Sequence, residues 1–300
     1  MIQFIAALSL AVAPVLQAQE NSTSLPDITV SGVRGTVQEA ERFVDEVATA
    51  PTHALSLPVW MTPICVATVN LRPEAAAGVN AQIEMHAREL GVRVLPAGCS
   101  PNITVLATSD GRFTATDLVA AHHDRFIASP GPTQGDERAL RRFAESEVPV
   151  RWWTISALMD EDSHRILVPI WGMEAAPIDT SGEGYWGQNR REAMLTTLVI
   201  VDVSKTRDIS DAALGDYVSM VVLSNVDPLV RPAGYPSILN LWDGGTSAAG
   251  LTAWDRAYLK GLYQAQLRLT GSQLQVRSLY QRNEIARIMA RELATGEVSP

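Results

Sequence analysis

Apolar and polar positions follow two different periods along the chain. Short apolar runs, several of them rich in Val and Ile, have the pattern of β-strands. They cover residues 28–33, 65–69, 92–95, 103–107, 150–158, 166–171 and 194–203. Longer segments repeat their apolar residues every three or four positions, which predicts amphipathic helices. These cover residues 36–48, 74–90, 117–127, 136–147, 209–225, 252–267 and 272–294, with a short helical turn at 237–242.

The order of these elements predicts an α+β fold, with a mixed sheet, packed helices and a helical carboxyl-terminal third. Residues 19–300 are expected to form a single domain, and any internal boundary would lie at residues 128–135 or near residues 204–209. Trp152 and Trp153 are neighbours on one predicted strand, so their side chains point to opposite faces. Either both faces of that strand are covered, or one tryptophan is exposed to a partner.

The amino terminus carries an uncharged apolar run from Phe4 to Leu16. This run is shorter than the roughly 20 residues that cross a membrane. Together with Ala18 behind it, the run predicts a secretory signal peptide, residues 1–18, that is cleaved after Ala18. No Lys or Arg precedes the run, so a retained helix or a membrane anchor stays open as the alternative. No second run of this kind follows, and we expect no membrane span after cleavage.

The chain contains two cysteines, Cys65 and Cys99. An even number of cysteines in an exported protein predicts a disulfide bond. Closing a loop of this length would stabilise the fold by roughly 3–4 kcal/mol. Two buried free thiols are the alternative. A zinc site is not expected, because the sequence has no Cys-x-x-Cys and no nearby pair of histidines at ligand spacing.

The charged residues limit the possible partners of the protein and indicate the kind of organism that it comes from. The balance of 24 basic and 33 acidic residues gives a net charge of −9. This argues against nucleic-acid binding, because phosphate backbones attract Lys and Arg. All but two of the basic residues are arginine, since Lys205 and Lys260 are the only lysines. That bias is typical of GC-rich bacterial genomes, and with the signal peptide it predicts a periplasmic or secreted protein of a Gram-negative cell.

Residues 182–187 match the pattern G-x-G-x-x-G, and Asp202 follows at the end of a predicted strand. A dinucleotide site needs a strand directly before these glycines and a helix that opens on them. The predicted strand ends too early, and too few residues remain for the helix. We therefore expect no nucleotide and no other cofactor at this segment.

The same polar, Gly-rich segment, residues 172–191, is either a plain surface loop or a loop that binds a ligand. Its aromatic residues, Tyr185 and Trp186, could stack on a ring. Arg190 and Arg191 beside them could bind an anion. These four residues are the candidate ligand site that the sequence offers.

Common catalytic motifs are missing from the chain. No G-x-S-x-G, S-x-x-K, H-E-x-x-H or P-loop pattern occurs, so we assign no catalytic residue and no metal ligand. His122 and His123 are adjacent on a predicted helix and point about 100° apart, which favours surface positions. His86 lies in a helix beside charged residues, and we predict that it is solvated. The acidic residues 160–162 are expected to form a solvated hairpin turn.

Three segments of the carboxyl-terminal third carry a family resemblance: residues 214–220, 236–242 and 251–263. They resemble the end of an uncharacterised group of secreted Gram-negative proteins with a zincin-like layout. In that layout a helix bears the zinc-binding residues, because two histidines one turn apart must face one metal ion. The matching helix here offers Asp216, Tyr217 and Met220 instead, and no histidine follows it. The resemblance therefore implies a non-catalytic relative whose helix is packing core, with Asp216 satisfied by a cap or an arginine.

These observations predict an exported bacterial envelope protein that acts by binding or scaffolding, one form of which is a zincin-like pseudoenzyme. Its partner would be an unknown envelope protein or a small ligand. The alternative is a periplasmic hydrolase whose active site is assembled from distant residues. A further alternative is a partner-binding module that docks through the apolar stripe of the helix at 272–294, although such a stripe usually seals a protein's own core.

Overall fold

The computed structural model describes residues 36–48, 56–127, 136–167, 190–224, 226–243, 248–265 and 277–296. All of them belong to one compact unit, residues 34–300. The predicted signal peptide and the predicted strand at 28–33 lie outside the described residues. Within the described stretches, no helix combines the length and apolar character that crossing a membrane requires.

Four strands form a mixed sheet in the described part of the chain. They are β1 (Val66–Val69), β2 (Ile103–Thr108), β3 (Val150–Asp160) and β4 (Arg190–Asp202), in the spatial order β1-β2-β4-β3. β1, β2 and β4 are parallel to one another, and β3 runs antiparallel to β4. Parallel neighbours need a crossover connection, which a helix supplies between β1 and β2. The fold is α+β, as the sequence predicts.

Seven α-helices accompany this sheet in the described residues. They are α1 (Val37–Val47), α2 (Pro73–Glu89), α3 (Gly111–Phe126), α4 (Glu137–Glu145), α5 (Asp211–Ser224), α6 (Ala253–Gln264) and α7 (Arg277–Gly296), and a 3-10 turn covers Ile238–Asn240. α6 and α7 make the carboxyl-terminal region helical, as expected.

Helices cover both faces of the sheet. α3 and α4 lie against one face, and α2 and α5 lie against the other, with α6, α7 and α1 packed behind them. The neighbouring tryptophans of β3 mark the two faces: Trp152 belongs to the large core that includes α5, and Trp153 belongs to the smaller core under α3 and α4. Both side chains are buried. Of the two arrangements that the sequence leaves open, the structure has the one in which both faces are covered.

α5 is the central helix of the larger core. Every residue from Ala213 to Ser224 is buried, which is typical of a helix that is apolar on all sides. Its two buried serines satisfy their hydroxyl groups within the helix, because Ser219 donates to the carbonyl of Gly215 and Ser224 donates to that of Met220. Such a helix presents almost no side chain to solvent.

The ends of several helices follow from local side-chain chemistry. Thr36 and Glu39 form a capping box at the start of α1, and Asp136 caps α4 by accepting from the amide of Ala139. Gly91 ends α2 with a positive φ of 80°, a conformation that glycine adopts without steric cost. The predicted range of this helix, residues 74–90, agrees with the observed one to within one residue at each end.

Some predicted boundaries are wrong for identifiable reasons. α3 begins at Gly111, six residues before the predicted start at 117, because Asp110 accepts a hydrogen bond from the amide of Phe113 and caps it. β4 begins at Arg190, ahead of the predicted start at 194. The predicted strand at 92–95 is reduced to one bridge between Val94 and Ile64. Of the predicted strand at 166–171, Ile166 forms a bridge with Met159, and residues 168–171 lie outside the described part.

Cys65 and Cys99 form the predicted disulfide, with their Cα atoms 6.1 Å apart. It joins the residue before β1 to the turn before β2. The same corner is held by Asn102, whose side-chain oxygen accepts from the amide of Cys65 and whose amide nitrogen donates to the carbonyl of Pro63. The bridge therefore ties the amino ends of two parallel strands.

Candidate functional site

A buried histidine and a buried aspartate meet between α2 and α5. The Nε2 atom of His86 lies 2.8 Å from Oδ1 of Asp216, although 130 residues separate the two in sequence. On its other side, the Nδ1 atom of His86 lies 3.1 Å from Oε2 of Glu89. The imidazole thus bridges a buried carboxylate and one that is about half exposed.

The local sequence explains why these groups meet. The buried residues of α2 include Val79, Ile83 and His86, which repeat at helical spacing and so face α5 together. On α5, Gly215 precedes Asp216 directly, and a Cβ atom at position 215 would lie 1.8 Å from Oε1 of Gln82. A side chain at position 215 would therefore displace the end of the Gln82 side chain, which donates to the carbonyl of Ala212 and to Oδ1 of Asp216.

Both carboxylate oxygens of Asp216 are used by the protein itself. Oδ1 accepts from Nε2 of Gln82 (2.9 Å) as well as from His86. Oδ2 accepts from the backbone amide of Leu251 (2.8 Å), just ahead of α6. Asp216 therefore links three parts of the fold: α2, α5 and the segment that leads into α6.

The protonation states follow from this geometry. An ionised carboxylate can only accept hydrogen bonds, so an imidazole between two carboxylates donates from both nitrogens and carries a positive charge. Burial lowers the pKa of His86, but the hydrogen bonds to Asp216 and Glu89 outweigh it and raise the pKa above its usual value. Burial raises the pKa of Asp216, but the hydrogen bonds from His86 and Leu251 outweigh it and lower the pKa. Both shifts favour the ionic form of the pair.

A cleft of about 130 Å³ opens beside this pair. Three leucines supply apolar lining, and four polar side chains complete it. The lining residues are His86, Glu89, Leu90, Leu251, Arg256, Leu259 and Lys260. Nη1 of Arg256 lies 3.7 Å from Oε2 of Glu89, and Nζ of Lys260 lies 2.6 Å from Oε2 of Glu292 on α7.

The lining residues define the chemistry that is available in the cleft. Among the lining residues there is no hydroxyl or thiol that could act as a nucleophile. Both ring nitrogens of His86 face carboxylates. The cleft instead offers cationic groups, Arg256 and Lys260, next to apolar surface. Such a combination can accommodate an anion that carries a hydrocarbon part.

The prediction that His86 is solvated is wrong. Its side chain is 2% exposed, because it lies on the apolar face of α2 rather than among the charged residues beside it. The prediction that a cap or an arginine satisfies Asp216 is also wrong. His86, Gln82 and the backbone amide of Leu251 form the hydrogen bonds to its carboxylate. One signal was available in the sequence: His86 stands three residues after Ile83 and seven after Val79, positions that share one helix face.

The structure describes two of the four residues of the predicted ligand loop. Tyr185 and Trp186 lie outside the described residues. Arg190 and Arg191 are the first residues of β4 and not part of a loop. Nη2 of Arg191 donates to the backbone carbonyl of Leu262 at 2.6 Å. That contact joins β4 to α6, so Arg191 has a structural partner.

The glycine pattern at 182–187 also lies outside the described residues, but Asp202, which follows it, has a structural role. Its Oδ2 accepts from the amide of Gly111 (3.1 Å) at the start of α3. Its Oδ1 accepts from the amide and the hydroxyl of Ser204. The carboxylate therefore caps a helix and a turn.

The other predicted polar features are arranged as surface structure. His123 lies 3.0 Å from Glu137 in an exposed contact, and His122 interrupts the helical geometry of α3. Asp160 accepts from the amide and the hydroxyl of Ser163, which closes the acidic turn. Among the residues that the structure describes, no group of three or more His, Cys, Asp or Glu side chains is placed to hold a metal ion.

The structure assigns local roles to the segments that carry the family resemblance. Asp255, in the first turn of α6, is completely buried. It accepts from the hydroxyl of Ser237 (2.6 Å), from the amide of Ile238 (2.9 Å) and from the amide and hydroxyl of Thr252. Residues 237–239 and the start of α6 therefore form one hydrogen-bonded joint, in which Asp255 is a structural group.

No known protein family, curated protein or solved structure matches this chain. The resemblance of residues 214–220, 236–242 and 251–263 to secreted proteins with a zincin-like layout therefore stays a prediction. The candidate site rests on the geometry of α2, α5 and α6 alone.

Proposed function

We propose that this chain is an exported bacterial envelope protein that acts by binding and not by catalysis. In this proposal it is a zincin-like relative in which the active-site helix, α5, has become packing core. One observation carries it: Asp216, the buried acidic residue of that helix, uses both carboxylate oxygens in hydrogen bonds to α2 and to the segment before α6. A carboxylate in this position joins three parts of the fold, and the protein itself already uses three of its roughly four acceptor sites.

The direct test is to measure bound zinc and hydrolysis on one preparation of the exported protein, purified without chelator. The proposal expects no stoichiometric zinc and no turnover of peptide, ester or glycoside substrates above the buffer rate. Tightly bound stoichiometric zinc would contradict it, since the metal would need ligands that the proposal assigns to packing.

Export is supported by the disulfide between Cys65 and Cys99, because such bonds persist in oxidising compartments. Amino-terminal sequencing of the mature protein tests the leader, and the expected first residue is Gln19. Material in the cytosol with an intact leader and two reduced thiols would contradict export.

A periplasmic hydrolase is the second candidate, and a specific observation favours it. The buried His86 lies at a cleft between two carboxylates, and such groups can activate water when one of them is released. If this candidate is correct, His86→Gln abolishes a hydrolytic activity of the wild-type protein. Glu84→Ala is the matched control, because Glu84 lies on the same helix in a surface pair with Arg88 and must leave that activity unchanged.

The docking alternative for α7 has less support. Ile285, Ile288 and Met289 are buried in the protein's own core, while Leu279 and Tyr280 are about half exposed. The buried side chain of Gln281 also holds the segment around Leu57, whose amide donates to its Oε1. The stripe of α7 mainly seals the core, so we place binding at the cleft beside His86.

A further inference from the structure

The side chain of Glu89 marks a position where a carboxylate is recognised. Its Oε2 atom lies 3.1 Å from Nδ1 of His86 and 3.7 Å from Nη1 of Arg256. Glu89 is the last residue of α2, and its side chain is about half exposed. A carboxylate on another molecule could take the same place if the side chain of Glu89 turned outward.

Apolar surface lies directly beside that position. Leu90, Leu251 and Leu259 line the cleft of about 130 Å³. A cavity of about 150 Å³ holds one benzene molecule, so this cleft has room for a hydrocarbon part of about six carbon atoms. A larger group would extend beyond the leucines into solvent.

The charges around the cleft decide which ligand fits. Three cationic groups face it, His86, Arg256 and Lys260. Three carboxylates balance them: Asp216 pairs with His86, Glu292 pairs with Lys260, and Glu89 contacts both His86 and Arg256. Only Glu89 is both exposed and at the end of a helix, so it is the carboxylate that an incoming anion can replace without breaking the buried pair.

We propose that the cleft binds a small apolar monocarboxylate of about six carbon atoms, whose carboxylate replaces that of Glu89 between His86 and Arg256 and whose hydrocarbon part lies on the three leucines. This inference rests on the proposed binding function, because it gives that cleft its ligand class. Glu89 acts as an internal competitor, so the wild-type protein binds such a ligand weakly.

The test titrates hexanoate into the full mature protein at about pH 6, where an unshifted histidine is already largely protonated, and measures affinity by calorimetry. Glu89→Ala removes the competitor, and we expect it to bind hexanoate about tenfold more tightly than the wild type, since a hydrogen bond to a charged group contributes about that factor. Adding Arg256→Gln to this variant should cost about tenfold again. Thermal melting of each variant checks that the fold is intact.

Two controls make the result specific. Glu84→Ala removes an equal charge from the same helix but not from the cleft, and it should leave hexanoate binding at the wild-type level. Hexanamide has the same carbon chain without the charge and should gain nothing from Glu89→Ala. Equal binding of hexanamide and hexanoate, or no gain in the Glu89→Ala protein, would overturn the inference.

The outcomes also separate this inference from the proposed function. Failure of hexanoate to bind a protein that hydrolyses nothing overturns the ligand class alone. Hydrolysis of a hexanoate ester by the wild type, lost in His86→Gln, contradicts the non-catalytic function whatever hexanoate itself does.

Discussion

The contact between His86 and Asp216 predicts a large and specific loss of stability when one partner is removed. Both side chains are nearly buried, at 2% and 12% exposure. Removing one partner of a buried ion pair typically costs about 3–5 kcal/mol, because it leaves the other charge buried and unpaired. Asp216→Ala also leaves the amide of Leu251 without its acceptor. Because Asp216 keeps some solvent contact, we expect a loss of about 3 kcal/mol, at the lower end of that range.

Urea unfolding of the wild type, both single alanine variants and the double variant measures this loss and the coupling between the two residues. We expect a coupling energy of about 1–2 kcal/mol, since residues in one hydrogen-bond network are not additive. The exposed pair Glu84–Arg88 on the same helix is the matched control, with an expected coupling of about 0.3–0.5 kcal/mol. A coupling for His86 and Asp216 no larger than the control would refute the interpretation of the pair as a buried ionic link.

The loss of stability in the Asp216→Ala protein depends on pH, and the sign of that dependence follows from the two pKa shifts. The pKa of His86 is raised in the folded protein. The stability that His86 contributes is therefore fully present below about pH 6.5, the pKa of an unfolded histidine. It is lost as the pH rises through the pKa of His86 in the folded protein. The pKa of Asp216 is lowered, so its contribution is complete above about pH 3.9 and is lost as the pH falls through the folded pKa. The effect of Asp216→Ala on stability should be largest between these limits.

Three further predictions concern the rest of the fold. Reducing the disulfide Cys65–Cys99, whose residues are 34 apart in sequence, should lower the free energy of unfolding by about 4 kcal/mol; an unchanged urea midpoint would contradict this. Asp255→Ala removes the acceptor of four hydrogen bonds, and the two from Ser237 and Ile238 are buried; it should cost about 3 kcal/mol, which thermal unfolding would detect as a fall in Tm of about 6 °C. Gly261→Ala should cost about 1–3 kcal/mol, because its Cβ would lie 3.0 Å from the carbonyl oxygen of Ile285; a variant as stable as the wild type would show that α6 and α7 can move apart.

Much of the fold could be predicted from local pattern because its central elements are strongly apolar. β4 and α5 have long runs of Val, Ile and Leu, and burial of both follows directly from composition. The adjacent tryptophans of β3 indicated that both faces of the sheet are covered or that one tryptophan is exposed to a partner, since a strand alternates its side chains. The failures lie at element ends, where side chains form long-range contacts. The early start of β4 is an example, because Arg191 bonds to the carbonyl of Leu262 on α6.

The candidate site was harder to predict because its two central groups are 130 residues apart in sequence. Nothing local to α2 indicates that α5 will place a carboxylate against His86. The charged neighbours of His86 suggested a solvated position, yet its spacing from Val79 and Ile83 placed it on the buried face. A polar residue at a buried helix position needs a hydrogen-bond partner, and one partner of His86 lies on a helix that is distant in sequence. The nearest carboxylate on the central helix is Asp216.

The protonation of His86 tests the central claim most directly, because a binding site and a catalytic base require opposite states of its ring. Nitrogen-15 NMR of the imidazole side chains, with His86→Gln to assign the resonance, measures both ring nitrogens across a pH titration. A pKa above the usual value, with both nitrogens protonated near neutral pH, is the result that the two carboxylates predict. A neutral ring with a pKa below the usual value would contradict the account, since His86 would then be a free base beside the cleft.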